Sequence, residues 1–572
     1  MKVYYRGRRG YSNAALPEGS SDVIELLWDN WDDFGFATTF GVQFRHSKEM
    51  VDVGGGLRLL IAHQHSSRKV LDELREKGWN GIFPPPGLDY ISVPSDIRFY
   101  QQLKAHLGIE ASLAVARSLR DASVLSRIDN DPAAISLIES KGFKDSLQRE
   151  RGSVMAYLEG WKILQNQTIA VSDFEFRFED VTGEPQSISF NFASETPLPH
   201  DINVLIGANG AGKSRLLHNM VNAWIRPDKV KGNLGFAQIP NLSQMVVVSY
   251  SPFELFTVDV ESLELRDKDV YRYFGFRGRT GDPSAKGRSP PIRLSRAIPK
   301  RNAAHALIAC LADDQKFRAL DDWAKKVATV ERVLRTAFSF DYAAVAVDRA
   351  KRVALMHEKP DTIKGPAYID DDGDRWVPIS TDSLQSANPE RILAACQPDQ
   401  GVAFFKDGKQ LQLSSGQRLF SYVVINLLGV IRRNSLVLVD EPELFLHPSL
   451  EIQFVEMLKD ILVSFSSKAI LATHSEVVVR EVPADCVHVF VRTDDGVVIS
   501  HPPFQTFGGD IQRISSYVFR DNLVAKPFER WLRMQLNRYG SSKALLEALG
   551  DNLNEEMIIQ VKAMEHKPKS QA

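Results

Sequence analysis

Cysteine is scarce in this chain. Cys310, Cys396 and Cys486 are the only three in 572 residues, and no two form a C-x-x-C pair. That excludes a disulfide framework or a zinc ribbon and fits a reducing compartment. Net charge is lacking too, since 70 Lys+Arg against 72 Asp+Glu leave a formal −2. No whole-molecule field draws the chain to nucleic acid or an anionic membrane, so any basic site has to be local. Long apolar runs are missing. The longest, about Tyr422 to Ile431, is broken by Asn426 and is too short to span a bilayer. The basic start, Met1 to Gly10, is followed by no apolar stretch, so a secretory signal is not expected. The expectation is a cytoplasmic protein without membrane contact. Helices from about Ala303 to Ala337 are too short for a sustained heptad repeat, so no long coiled-coil arm is expected.

What the chain does have is a phosphate loop. Gly207-Ala208-Asn209-Gly210-Ala211-Gly212-Lys213-Ser214 follows the apolar run Val204-Leu205-Ile206 and precedes a helix starting Arg215-Leu216-Leu217. This is G-x-x-x-x-G-K-[ST] between a strand and a helix. The glycines let backbone N–H groups close around phosphate oxygens, and the helix N-terminus adds positive potential. Lys213 is expected at the β- and γ-phosphates, and Ser214 at Mg²⁺.

A second anion-binding helix start follows at Leu413-Ser414-Ser415-Gly416-Gln417. Next comes the buried strand Leu436-Val437-Leu438-Val439, ending in Asp440-Glu441. Asp440 is placed to hold Mg²⁺ with Ser214, and Glu441 to orient and deprotonate the attacking water. The strand Ala469 to Ala472 ends at Thr473-His474-Ser475, where His474 can reach the γ-phosphate.

Elsewhere the readings are plainer. Residues 1 to about 165 carry no decodable motif. Phe36 to His46 and Leu57 to His65 alternate as strands; Lys69 to Lys77, Ser95 to Leu107 and Glu110 to Ser126 read as helices. His46, His63 and His65 invite a metal reading, but a hairpin setting His46 near Leu57 keeps them apart. Phe174 to Phe178 and Ile188 to Phe192 alternate as two antiparallel strands, and Met245 to Ser249 is another strand. Tyr271 to Arg301 carries nine basic residues, among them Arg277, Arg279 and Arg288, against the single acid Asp282, with Tyr271, Tyr273, Phe274 and Phe276 at its start. Read as a loop, it suits nucleic-acid contact, a solvated loop or a protein-docking surface. Asp372-Gly373, Asp407-Gly408 and Asp495-Gly496 read as hairpin turns, and Asp370 to Asp374 as a turn rather than a Ca²⁺ loop.

The ordered set GANGAGKS, LSSGQ, LVLVDEPELFLHP and LATHS resembles an ABC-type ATPase head. It is similar to the branch shared by SMC-like, RecF-like and OLD-family proteins, where the Glu443-Leu444-Phe445-Leu446-His447-Pro448 extension is typical. The resemblance covers about 170–260 and 400–505. It implies ATP and Mg²⁺ as cofactors, and a head-to-tail homodimer in which Ser415 and Gly416 of one subunit meet the ATP held by Lys213 of another. It departs from the family at Tyr250-Ser251-Pro252, where a glutamine is usual; Ser251 is the stand-in. His447 has no family role assigned. The nuclease domain of OLD-family relatives has no counterpart after His474, so any nuclease or toxin effector is expected on another chain. The layout resembles ATPase subunits of bacterial anti-phage defence systems.

The expected architecture is α/β. An ABC-type P-loop ATPase head over 166–505 is interrupted by a large helical insertion at about 255–400. An N-terminal α+β domain (1–165) precedes it, and a short helical tail (506–572) with a polar end follows. Three roles are open: a sensor or regulator ATPase acting on a separate effector, a RecF-like DNA-repair ATPase stimulated by DNA, and a nucleotide-dependent scaffold that barely turns over.

Overall fold

The computed structural model describes residues 1–7, 22–28, 36–47, 49–53, 55–148, 150–167, 171–194, 196–230, 232–238, 240–260, 270–280, 291–317, 325–348, 368–369, 375–383, 387–493, 496–519 and 527–565. The chain divides into two compact units, Met1–Gly508 and Gly509–Ala572. Among the described residues no helix is long and apolar enough to cross a membrane.

The N-terminal part is built on one sheet. Its strands are β1 (Lys2–Gly7), β2 (Val23–Trp28), β3 (Thr39–His46), β4 (Glu49–Val51), β5 (Gly56–Ile61) and β6 (Tyr90–Pro94), in the order β1-β2-β3-β5-β6 with β4 on β3. Helices Ser67–Glu76, Arg98–Ser118 and Arg151–Leu164 share its core through Leu71, Phe99, Leu103 and Ala156. The second of these is broken at Gly108, whose φ of 74° and ψ of 176° are non-helical and open to glycine, so two helices meet there as the sequence suggests, the later one ending at Ser118. The β3–β5 register differs from the expected hairpin. Phe40, not His46, faces Leu57, because β4 intervenes and takes His46 opposite Glu49. The ring of His46 then lies 5.3 Å from that of His106, while the ring of His65 lies tilted 5.0 Å from that of Phe36.

The centre of the molecule is a mostly parallel sheet. β7 (Phe174–Glu179) and β8 (Pro185–Phe190) pair antiparallel and bury Phe174, Phe176, Phe178, Ile188 and Phe190 on one face. β9 (Ile202–Gly207) enters the large sheet, and β10 (Gly235–Phe236) edges β7. With β11 (Gln244–Ser249) and β12 (Tyr271–Phe274), the sheet runs β12-β11-β20-β21-β9-β22-β23, where β20 is Ser435–Asp440, β21 Lys468–Thr473, β22 Val487–Thr493 and β23 Gly496–Ser500. All neighbours but β22–β23 are parallel. β9, β11 and β20 are buried along their whole lengths, as strands covered on both faces must be.

The stretch read as a basic loop is partly structural. β12 lies in the core sheet, with Tyr271, Tyr273 and Phe274 buried rather than offered for base stacking. It leads into a hairpin of β13 (Arg277–Arg279) and β14 (Ile292–Leu294). Arg277 is 3.4 Å from Glu254 and Arg279 is 2.7 Å from Asp259. Asp282, Lys286 and Arg288 lie outside the described residues. The insertion is not helical throughout. Helices Ala297–Lys316 and Lys326–Ala337 are followed by the strands β15 (Tyr342–Val347), β16 (Tyr368–Ile369), β17 (Arg375–Ile379), β18 (Val402–Lys406) and β19 (Lys409–Gln410). These form a five-stranded sheet in the order β16-β17-β15-β18-β19, with Ala344, Ala346, Trp376 and Phe405 in its core. Asp407 and Gly408, both at positive φ, make the two-residue turn between β18 and β19. Asp370 to Asp374 and Asp494-Asp495 fall outside the described residues.

Helix Ala297–Lys316 packs closely on helix Ser415–Val430. A Cβ added at Gly429 would lie 2.5 Å from the Ala306 side chain, so only glycine permits this approach. In the second unit, helices Pro527–Tyr539, Ser542–Leu549 and Glu555–Glu565 close around Leu532, Leu545 and Val561. The expected polar end, 566–572, is outside the described residues.

One buried histidine sets an acid limit on this fold. His488 in β22 is 1 % exposed, lies 3.0 Å from Asn203 Oδ1, and has its ring 4.7 Å from that of His501. Burial, then the charge of His501, push its pKa down to about 3. The unfolded chain takes up this proton near pH ~6.5, while the folded chain does so only near the lower value. Stability is therefore lost as pH falls below about 6.5. His488→Gln should flatten the acid fall in melting temperature between about pH 6.5 and 4.5; an unchanged slope would mean another group sets that limit.

Candidate active site

The site lies where the parallel strands end, the usual place for a ligand in an open α/β sheet. β9 ends in Gly207, and the loop Ala208–Gly212 leads into helix Lys213–Ile225. Gly207 is packed so tightly that a Cβ would meet the Phe490 carbonyl oxygen at 2.2 Å. Gly210 and Gly212 take φ of 76° and 97°, which turn the loop's N–H groups inward. Ala208, Asn209 and Gly210 are exposed, Ala211 is buried under the loop, and Arg215 points to solvent.

Lys213 is 5 % exposed. Its Nζ donates to the carbonyls of Gly207 at 2.9 Å and Ala208 at 3.3 Å, and lies 3.1 Å from His474 Nε2. Ser214 Oγ donates to Asp440 Oδ1 at 2.8 Å, which ties the loop helix to the end of β20. Glu441 follows in the left-handed region, at φ 51° and ψ 57°. A non-glycine residue there costs about 1–3 kcal/mol. The Glu441 N–H bond to the Ala472 carbonyl at 2.8 Å holds it in place. Glu441 Oε1 is 4.0 Å from His474 Nε2.

The local charge is unbalanced. Three carboxylates, Asp440, Glu441 and Glu443, surround one buried ammonium. Burial, followed by Glu441 and Glu443, raises the Asp440 pKa to about 7 against the pull of Ser214 and Lys213. Burial likewise lowers Lys213 to about 8, with the three carboxylates opposing it. Burial and the neighbouring Lys213 lower His474.

The residues fit ATP and Mg²⁺. Glycines at positive φ form an open cradle, a lysine is held by loop carbonyls and a histidine, and a Ser–Asp pair offers two oxygens to a hard cation. Ser414 to Gln417 start helix Ser415–Val430 with a reciprocal capping box. Gln417 N–H donates to Ser414 Oγ at 3.3 Å, and Ser414 N–H to Gln417 Oε1 at 3.1 Å. Ser415 is exposed and Gly416 half-buried, so this helix start faces outward.

Other positions were not legible in advance. Glu443 accepts from Thr473 Oγ1 at 2.8 Å and from the His474 N–H at 2.6 Å, so it locks the end of β21 to the segment after β20. Its sequence signals were its place at the head of the Glu443–Pro448 extension and its position two residues after Glu441, neither of which assigns it a role. Glu443→Gln can accept only one of these bonds. Losing one charge-assisted bond costs about 1.5–3 kcal/mol, so turnover should fall about ten-fold or more while ATP affinity holds within about three-fold. Steady-state rates beside equilibrium binding check this, and an unchanged rate would remove Glu443 from the site. His447 caps helix Pro448–Ser464 through the Ser449 N–H. Beyond β11, the Tyr250 hydroxyl accepts from Asn426 at 3.4 Å, inside helix Ser415–Val430. Gln244 sits at the far end of β11, beside Ser435.

Residues 202–480 match the family described as "AAA domain, putative AbiEii toxin, Type IV TA system". Protein ea59 of Escherichia phage lambda is 24% identical over 571 residues, covering 97% of each chain. Among solved structures, an SMC head domain from Thermotoga maritima matches 59% of this chain and 100% of its own, at 11% identity and a TM-score of 0.26. An ATP-binding cassette of an ABC transporter, in its ADP conformation, matches 61% of this chain and 95% of its own, at 10% identity and a TM-score of 0.27. The phosphate loop and the Asp440-Glu441 strand end both fall inside the matched stretch, so over residues 202–480 the chain is similar to P-loop proteins of that family.

Proposed function

We propose that the chain binds and hydrolyses ATP, closes as a head-to-tail homodimer around two ATP molecules, and acts as the sensor or regulator of a separate effector, a nuclease or toxin, in anti-phage defence. The observation that carries the ATPase reading is the convergence of Lys213, Ser214, Asp440, Glu441 and His474 at the ends of three adjacent strands. Lys213 leaves the loop carbonyls to bind the β- and γ-phosphates, and the N–H groups from Asn209 to Ser214 take the remaining oxygens. Ser214 and Asp440 hold Mg²⁺, which when bound supplies charge neutralisation between those phosphates. Glu441 accepts the proton of the attacking water, and His474 donates to the γ-phosphate oxygen that gains charge.

The outward-facing Ser415-Gly416 helix start supports the dimer, because an anion-binding terminus gains a purpose from a second subunit's ATP. The family description, which names a toxin–antitoxin system, and the phage relative support a role in conflict between bacterium and phage. The DNA-stimulated reading has less behind it, since Arg277 and Arg279 are paired with acids and the adjacent aromatics are buried.

Subunit mixing tests the composite site. Lys213→Ala and Ser415→Arg chains should each be inactive alone. Mixed in equal amounts, half the dimers are heterodimers with one intact site, so about a quarter of parental turnover should return. A mixture that stays inactive would sink the head-to-tail arrangement.

A further inference from the structure

His200, Asp485 and Cys486 come together at the end of the core sheet away from the phosphate loop. His200 lies in the connection after β8, two residues before β9. Asp485 and Cys486 close the short turn Ala484–Cys486, directly before β22. β9 and β22 are parallel neighbours, so both segments sit at the same end of this strand pair. The phosphate loop leaves the other end of β9, roughly 17 Å away along the strand.

The three potential ligand atoms, a ring nitrogen, a carboxylate oxygen and the sulfur, all lie within 4.8 Å of one another. His200 and Cys486 are buried, while the Asp485 side chain is open to solvent. The ring of His200 is aimed by its own backbone. Nδ1–H donates to the Leu198 carbonyl at 2.9 Å, which leaves Nε2 facing Asp485 Oδ2 at 2.8 Å. A carbonyl on the other ring nitrogen is how metal-binding histidines are commonly oriented. Cys486 Sγ lies 3.6 Å from the Asn191 carbonyl oxygen. The surroundings favour a cation: Asp173, Asp201 and Asp485 all act on the thiol against Lys468, which is itself 2.7 Å from Asp201.

Thiolate, imidazole and carboxylate together suit Zn²⁺ rather than Mg²⁺ or Ca²⁺, which take oxygen ligands. Zinc bonds of about 2.0–2.3 Å put tetrahedral ligands roughly 3.3–3.8 Å apart, so the histidine–aspartate pair has to open slightly and the thiol to approach by about one ångström at most. We propose that His200, Asp485 and Cys486 form a Zn²⁺ site, with a water as fourth ligand on the exposed Asp485 side. Zn²⁺ displaces the Cys486 thiol proton and any proton on His200 Nε2, and both leave to solvent. The ion joins the connection before β9 to the turn before β22, independently of ATP and of the dimer.

The test is metal binding by the full-length chain, stripped with a chelator and then held in excess Mg²⁺ to occupy the Ser214 and Asp440 oxygens. Co²⁺ is the optical probe, because a thiolate bond to Co²⁺ gives a near-ultraviolet charge-transfer band that oxygen ligands do not. One equivalent of Co²⁺ should give this band, and Zn²⁺ should displace it with a Kd below about 10 µM. Cys486→Ser should abolish the band. His200→Ala and Asp485→Asn should each weaken Zn²⁺ at least about ten-fold, the lower bound for losing even an outer partner of a metal site. Asp485 is exposed, so its variant reads the site without disturbing the core. The proposal is overturned if the parental chain binds no Zn²⁺ tighter than about 10 µM, if the band survives in Cys486→Ser, or if Asp485→Asn binds Zn²⁺ as the parent does.

Discussion

Lys213→Ala should abolish measurable ATP binding. The reason is the charge around the ammonium. Asp440, Glu441 and Glu443 all act on it, and it in turn pulls against the raised pKa of Asp440. Without Lys213, a polyphosphate anion would face three carboxylates with no side-chain ammonium in return. A loss of at least about 100-fold in affinity, about 2.7 kcal/mol or more, is expected. Equilibrium dialysis with labelled ATP and Mg²⁺ measures it. The fold should survive, because the lysine's bonds in the structure are to loop carbonyls and His474, so an unchanged melting curve separates loss of site from loss of structure. Tight ATP binding by this variant would contradict the phosphate-loop assignment.

Glu441→Gln should have the second large effect, of a different kind. The amide keeps the shape and tolerates the same left-handed backbone, but cannot take a proton at neutral pH. Turnover should fall by about 10²–10⁴-fold with ATP affinity nearly unchanged. If ATP closes the dimer and hydrolysis reopens it, this variant accumulates as an ATP-bound dimer. Sedimentation with and without ATP reads that state, and affinity capture from the native cells with ATP present identifies what it holds. Hydrolysis at the parental rate would remove Glu441 as the base. A chain that stays monomeric with ATP bound would remove the dimer switch. Capture of DNA alone would shift the role toward repair or remodelling.

How much of this was legible in the sequence depended on how local each signal was. β9, β20 and β21 are unbroken apolar runs whose last residues carry the motif, so strand, burial and chemistry all sit in one window. Tyr271 to Phe274 carries the same kind of information but was misread. Its aromatics alternate with basic residues and glycines follow, which is also how a nucleic-acid loop looks. Its pairing with β11 across some twenty intervening residues decides the matter, and no local pattern encodes that. The insertion's sheet was missed for a similar reason, as its strands are short and separated by long connections. Glu443 acquires a role only when β21 is laid beside β20, which brings Thr473 and His474 within bonding distance. The N-terminal strands were recognisable by alternation, but their register was not, because a three-residue strand inserted itself into the expected hairpin.

The contact between Gly429 and Ala306 has a consequence for what the insertion can sense. With no side chain at Gly429, its backbone lies directly against Ala306, which leaves little slack there for one helix to slide or tilt while the other stays still. The helix held in this way is the one whose exposed start, Ser415-Gly416, would be presented to another subunit. In a head-to-tail pair the insertion would therefore be geared to the nucleotide across the interface, not to the one bound by its own Lys213. Each subunit would carry, on its own outer face, a readout of its neighbour's ATP.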